Sequence, residues 1–257
     1  MIKKPQEIEV IHGGGKKLAT ILDQLVSFAK PGITTVELDD LAEKLILASG
    51  GAPAFKHYRD HPNDPPFPST ICASVNEQLV HTPAGNYVLK NGDILSIDIG
   101  MKYPATGQGF FTDMATTIPI GEVSVEAKKL IEVTKDSFYI GLKKVKAGGR
   151  LRDVSSAIQD HIEKHGFSVV RQLVGHGVGY EVHEEPRVPN YFDPKQPDLI
   201  LEEGMVLAIE PMVNVGGYEI ETLDDGWTII AADGKLCAHY EHTIAVTKAG
   251  AKILTKN

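Results

Sequence analysis

The strongest constraint on the fold is a pattern of helices and breaks that occurs twice at a fixed distance. Leu18, Ile21, Leu22, Leu25 and Val26 recur every three to four residues, the period of one helical face. Lys30-Pro31-Gly32 then ends the run, with a cation in the last turn and a helix breaker beyond. A second helix opens at Thr34, whose spacing to Glu37 is a capping-box signature, and carries Leu38, Leu41, Ala42, Leu45 and Ile46 on one face. It stops at Gly50-Gly51. The plan returns with a helix from about Val125 to Val145, ended by Lys146-Ala147-Gly148, and another bearing Leu151, Val154, Ile158 and Ile162, stopping at Gly166. Gly32 and Gly148, like Gly50 and Gly166, lie 116 residues apart. Two such units imply a pseudo-twofold arrangement with a site between the halves. Strand-like runs follow each helix pair: Ile94 to Ile99, Met205 to Ile209, and Ala238 to Val246. No linker or low-complexity tract separates the halves. Residues 1–257 are therefore expected to form a single domain, with pseudo-repeat halves about 12–120 and 125–250.

Composition narrows the function classes. A net charge of −8 argues against a general nucleic-acid binder, DNA included. Cys72 and Cys237 are the only cysteines, so no disulfide framework is implied and a reducing compartment is expected. The N-terminus lacks the apolar stretch of a secretory signal, and nowhere do about 18 apolar residues run together, so no membrane span is expected. A cytoplasmic protein is the resulting expectation.

Four acids sit in or beside apolar strand-like runs. Asp98 lies within Ile94-Leu95-Ser96-Ile97-Asp98-Ile99-Gly100, where alternation puts Leu95, Ile97 and Ile99 on one face and Asp98 on the other. Asp113 follows fifteen positions on, after a Gly-containing turn, so a hairpin could bring the two together. Glu210 closes Val206-Leu207-Ala208-Ile209, and Glu241 precedes His242-Thr243-Ile244. One acid ending a strand is ordinarily a turn or a salt bridge. Four in separate runs point to crowded carboxylates, which repel one another unless cations meet them. Gly175-His176-Gly177-Val178-Gly179 supplies an imidazole in a glycine-rich bend, with His183 close behind. Its spacing does not fit a dinucleotide fingerprint. Oxygen-rich ligands with a single imidazole suit Mn, Fe, Co or Zn in a reactive site better than a structural zinc.

These residues resemble the type I methionine aminopeptidases, whose pita-bread fold is α+β, with pseudo-twofold halves around an antiparallel sheet. The resemblance rests on Ser74-Val75-Asn76-Glu77 with His81, on Asp98 and Asp113, and on Gly175-His176-Gly177 through His183-Glu184-Glu185-Pro186. It continues in Val188-Pro189-Asn190-Tyr191, Ile209-Glu210-Pro211-Met212-Val213 and Tyr240-Glu241-His242-Thr243. It implies a catalytic domain holding two divalent ions (Co, Mn, Fe or Zn), one on Asp98, Asp113 and Glu241 and the other on Asp113, His176, Glu210 and Glu241. A metal-bridging hydroxide would attack the first peptide bond, with Glu210 moving the proton. His183 would bond the carbonyl oxygen, and His81 the scissile amide or leaving nitrogen. Cys72, Phe67 and Trp227 fall where the family lines its methionine pocket. The implied substrates are N-termini of nascent proteins and peptides with a small second residue. A monomer is expected, and the basic cluster of Lys143, Lys144, Lys146, Arg150 and Arg152 reads either as a solvated helix end or as a contact for transient ribosome association.

The chain departs from the family pattern in three places. Residues 57–66 look like an insertion, expected to be a polar surface loop, since Pro62 argues against a helix presenting both His57 and His61 to a metal. Val182 stands where an aromatic residue is common. The Asp98–Asp113 spacing is longer by about four residues, placed in a loop around Pro104 to Gly109. A proline-directed enzyme of the same fold, or a non-catalytic binding protein built on it, are the competing readings; the second is disfavoured because all five ligand positions are filled.

Overall fold

The computed structural model describes residues 2–59, 65–195 and 198–257. Among them are helices α1 (Pro5–Phe28), α2 (Thr35–Ala48), α3 (Val125–Leu142) and α4 (Leu151–Lys164). α4 begins and ends 116 residues after α2. The glycines that punctuate the two pairs share one conformation. Gly32, Gly50, Gly148 and Gly166 have φ of 95°, 83°, 80° and 85°, where a Cβ would strain the backbone. The capping box at Thr34 is present: its hydroxyl accepts the Glu37 N–H at 3.3 Å, and the Glu37 carboxylate accepts the Thr34 N–H at 2.8 Å.

The first helix is longer than its apolar period suggests. It starts at Pro5, with Pro at the position where the missing N–H costs nothing. It ends at Phe28, which leaves Lys30 beyond the last turn rather than in it. Gly13, Gly14 and Gly15 lie in its middle, where each lowers helix propensity by about 1 kcal/mol relative to Ala. Packing explains two of them. A Cβ on Gly15 would stand 2.3 Å from the Leu254 carbonyl oxygen, and one on Gly14 would stand 2.9 Å from the Tyr103 Cβ.

The helices cover one side of a nine-stranded antiparallel sheet. Its continuous path runs Ala52–Pro53, Ile94–Tyr103, Phe110–Pro119, Glu241–Thr247, Val206–Ile209, Gly175–Gly177, Glu184–Val188. Ile71–Val75 adds to Ile94–Tyr103, and Gly250–Ile253 to Glu241–Thr247. Alternation sorts the side chains. Leu95, Ile97 and Ile99 pack under Leu18, Leu25, Leu38 and Ile46 of α1 and α2. Leu207, Ile209, Ile244 and Val246 pack under Leu130, Phe138, Val154 and Ile158 of α3 and α4. Two cores thus lie beneath two helix pairs, and the residues between these apolar positions face the opposite side.

The run from Ala238 to Val246 is two strands rather than one. Cys237–His239 pairs with Met212–Asn214 in a separate three-stranded sheet, while Glu241–Thr247 belongs to the main sheet. Its partner run divides at the same level, after Val206–Ile209, where Pro211 has no N–H to continue a ladder. The two chains cross between sheets together, joined by the Tyr240 N–H on the Pro211 carbonyl at 3.2 Å.

The glycine packing separates two opposed expectations. Helix propensity alone would have Gly15→Ala stabilise the protein by up to about 1 kcal/mol. The close approach to Leu254 should instead make it destabilising by about 1–3 kcal/mol, which a lowered urea midpoint with unchanged m would show.

Candidate metal centre and adjoining pocket

The side of the sheet turned away from the helices carries the acids. In the hairpin of Ile94–Tyr103 with Phe110–Pro119, Asp98 stands opposite Ala115 and Gly100 opposite Asp113. Directly opposed residues project to the same side, so Asp98 and Asp113 share a face. Ala115 is also opposite Glu241 on its other neighbour, so a single methyl group separates the positions of Asp98 and Glu241. Beside Asp113 lies Thr243, whose hydroxyl accepts the Asp113 N–H at 2.9 Å and donates to its carbonyl at 2.8 Å. Thr243 faces Ala208, and Ala208 faces His176. Ala115 and Ala208 are the small residues among these larger polar ones, and the space beside Gly100 is filled by Phe55, whose ring would lie 2.6 Å from a Cβ placed there.

Glu210 and Glu241 sit at the crossing between sheets. The Asn190 side chain holds the Glu210 carbonyl at 2.9 Å. His242 is fixed by Thr255 at 2.9 Å and Tyr240 at 3.1 Å. His176 Nε2 lies 3.5 Å from Glu210 Oε1, and its Nδ1 lies 2.9 Å from the Gly177 carbonyl oxygen. A carbonyl only accepts, so a neutral ring bonded to it bears its hydrogen on Nδ1 and offers the Nε2 lone pair to the site. One ligand atom from each of Asp113, His176 and Glu241 lies within 4.8 Å of the others.

Burial shapes the charges. It pushes Asp113 and Glu241 well above the usual carboxylate range, with the neighbouring acids adding to the effect. Burial also raises Asp98 to about 6 and Glu210 to about 8. It lowers His176 to about 3, aided by nearby His183. Asp98 Oδ1, Asp113 Oδ1 and Glu241 Oε1 are buried and make no hydrogen bond among the described residues.

A cavity of about 550 Å³ opens over this face. Its walls include Asp98, Asp113, His176, Glu210 and Glu241, together with His81, His183, Cys72, Phe67 and Trp227. All ten residues singled out from the sequence therefore meet in one place. The apolar end is a cluster of Phe55, Phe67, Cys72 and Val182 with Tyr58 and Trp227 at its edge. Phe67 and Trp227 pack edge to face, with centroids 5.2 Å apart. His81 reaches the cavity from a left-handed backbone, φ 59°, which is uncommon for a non-glycine residue.

Comparison with known proteins fixes the family. Residues 10–248 match the model of metallopeptidase family M24. The chain belongs to metallopeptidase family M24. This M24 chain is 48% identical over 254 residues to methionine aminopeptidase 1 of Bacillus subtilis, covering 99% of this chain and 98% of that one. The crystal structure of methionine aminopeptidase from Thermotoga maritima superposes with a TM-score of 0.92 at 41% identity, covering 100% and 99% of the two chains. An X-Pro aminopeptidase from the same organism reaches 0.75 at 25% identity, and only 63% of that chain is covered. The pita-bread, α+β expectation holds.

The residues present fit a metal group. Buried carboxylate oxygens with no hydrogen bond among the described residues, beside an imidazole whose other nitrogen is already held by a carbonyl, are a donor set for divalent cations. The sequence reading missed His239. It is 1% exposed, its Nε2 is 3.4 Å from Glu210 Oε2, and neither ring nitrogen makes a hydrogen bond among the described residues. Its signal was slight: it falls where the run from Ala238 looked like continuous strand. Of the 57–66 insertion, His57, Arg59 and Pro65 are exposed, as a surface loop would have them, Tyr58 lines the cavity, and residues 60–64, His61 among them, lie outside the described residues.

The raised carboxylates make metal-free stability depend on pH. Their folded-state values exceed those of an unfolded chain, so the native state binds more protons and its stability is fully present only below about pH 4. It is lost as pH rises through about 6 for Asp98 and about 8 for Glu210. The melting temperature of chelator-treated protein should fall by several degrees from pH 5 to 8.5, and added Mn should raise it more at pH 8 than at pH 5. An equal metal effect at both would count against the crowded-acid account.

Proposed function

We propose that this chain removes N-terminal methionine from nascent proteins and peptides, with a preference for a small second residue, as a single catalytic domain. One observation carries the reading: acids and a histidine from separate stretches converge on a cavity whose far end is an apolar recess beside Cys72. Two divalent ions would be held, one by Asp98, Asp113 and Glu241 and the other by Asp113, His176, Glu210 and Glu241, with Co, Mn, Fe and Zn all compatible. When bound, such ions supply the Lewis acidity that ionises water near neutral pH.

The remaining work falls to side chains. The recess of Phe67, Cys72 and Trp227 takes the methionine side chain, whose thioether packs well against aromatic edges. His183 donates to the carbonyl oxygen as it becomes an oxyanion, a contact worth roughly 3 kcal/mol in comparable sites. His81 contacts the scissile amide nitrogen. Glu210, at the crossing between sheets, takes a proton on its carboxylate and returns it to the leaving nitrogen. We infer a cytoplasmic monomer; no helix among the described residues is long and apolar enough to cross a membrane. Transient ribosome association would use the exposed Lys143, Lys144 and Lys146, since Arg150 and Arg152 both pair with Asp198.

The direct test is cleavage of Met-Ala-Ser against Ala-Pro-Ala by metal-reconstituted protein. Methionine should be released and the release abolished by chelator; alanine release alone would transfer the reading to a proline-directed enzyme. His183→Ala should lower kcat by roughly 100-fold with metal content unchanged, and loss of metal would make it a ligand instead. Trp227→Ala should raise KM for a methionyl peptide without changing metal affinity. An unchanged KM would remove Trp227 from the pocket.

A further inference from the structure

The stem of the 57–66 insertion reaches the residue assigned above to the carbonyl oxygen. The Tyr58 hydroxyl lies 2.8 Å from His183 Nδ1, and the two rings meet edge to face with centroids 5.2 Å apart. Tyr58 is itself held in place. Its N–H donates to the Phe55 carbonyl at 2.8 Å, and its carbonyl accepts the Phe67 N–H at 2.8 Å. The His57 N–H closes the stem on the Phe67 carbonyl, also at 2.8 Å. Two residues before Tyr58, Lys56 is anchored to Glu43 of α2 at 2.8 and 2.9 Å. A long side chain in a loop thus has a fixed base.

The direction of this hydrogen bond decides what His183 can do. A phenol oxygen shares its lone pair with the ring and accepts weakly, whereas a bare imidazole nitrogen is a strong acceptor. The favoured arrangement is Tyr58 O–H donating to His183 Nδ1. A neutral imidazole carries one hydrogen, so that hydrogen is then on Nε2. We propose that Tyr58 is a positioning residue that holds His183 in the Nε2–H form, the form able to donate to a substrate carbonyl oxygen. The same stem carries Phe67, which packs on Trp227, so one element shapes the apolar recess and orients the polar donor.

This inference rests on the role given to His183, and the test separates the two. The zinc-loaded enzyme, labelled with ¹⁵N-histidine, is compared with Tyr58→Phe, which keeps the ring and removes only the hydroxyl. The wild type should show His183 Nδ1 bare and Nε2 protonated, and Tyr58→Phe should shift His183 toward a mixture of forms. In turnover of Met-Ala-Ser, Tyr58→Phe should lower kcat by about tenfold, within the usual coupling of two residues in one network. KM and zinc content should stay constant. In a His183→Asn background the same change should have no further effect. A protonated Nδ1 in the wild type, or an unaltered His183 spectrum in Tyr58→Phe, would overturn the proposal. If His183→Asn alone left kcat intact, the role of His183 would fall, and the spectrum, which needs no turnover, would still decide for or against Tyr58.

Discussion

Carboxylates packed side by side and withdrawn from water organise this protein. Asp98, Asp113 and Glu241 stand on adjacent strands with Ala115 and Thr243 between them, and each keeps a buried oxygen without a hydrogen bond among the described residues. Desolvation and mutual repulsion both disfavour their charged forms. A fold can tolerate this only if the strands are held by forces that do not pass through the site. Here those forces lie on the opposite side, where Leu95, Ile97 and Ile99 pack under one helix pair and Leu207, Ile209 and Ile244 under the other. The sheet is an apolar surface on one face and an electrostatic conflict on the other.

Hydroxyl groups stiffen the polar face where the backbone ladder gives out. Thr243 bridges to both backbone groups of Asp113, and Thr117 does the same for His239, donating to its carbonyl at 2.9 Å and accepting its N–H at 2.8 Å. The second bridge spans the place where the chain leaves one sheet for another. Pro211 interrupts the ladder there, and Asn190 takes the carbonyl of the residue before it. Glu210 and Glu241 are thereby displayed from a crossing point, with more room to converge than a regular strand interior gives. A buried ion pair, Lys3 Nζ to Glu184 Oε2 at 2.6 Å, ties the start of the chain to the stretch after His183.

Much of the site was legible because it obeys local rules. Alternation about Asp98 announced a polar face, and the spacing to Asp113 announced a hairpin. The helix pairs were legible because their glycines need positive φ. What escaped depended on distant neighbours. The start of α1 was hidden by Gly14 and Gly15, whose reason lies in Tyr103 and Leu254. The division of the run from Ala238 to Val246 depends on which strands lie beside each half. Tyr58 was masked by polar residues around it, and nothing in its own neighbourhood points to His183, 125 positions away.

Burial favours the protonated forms of these acids, and bound cations would replace those protons. Calorimetric titration of the chelator-treated protein with Mn, run near pH 7 in two buffers of different ionisation enthalpy, counts protons released per ion bound. Net proton release on binding is the predicted result, because Glu210, raised to about 8 by burial, would give up its proton to a cation. Binding with no proton release would contradict the account, since the carboxylates would then have been fully ionised, and their crowding already compensated, before any cation arrived.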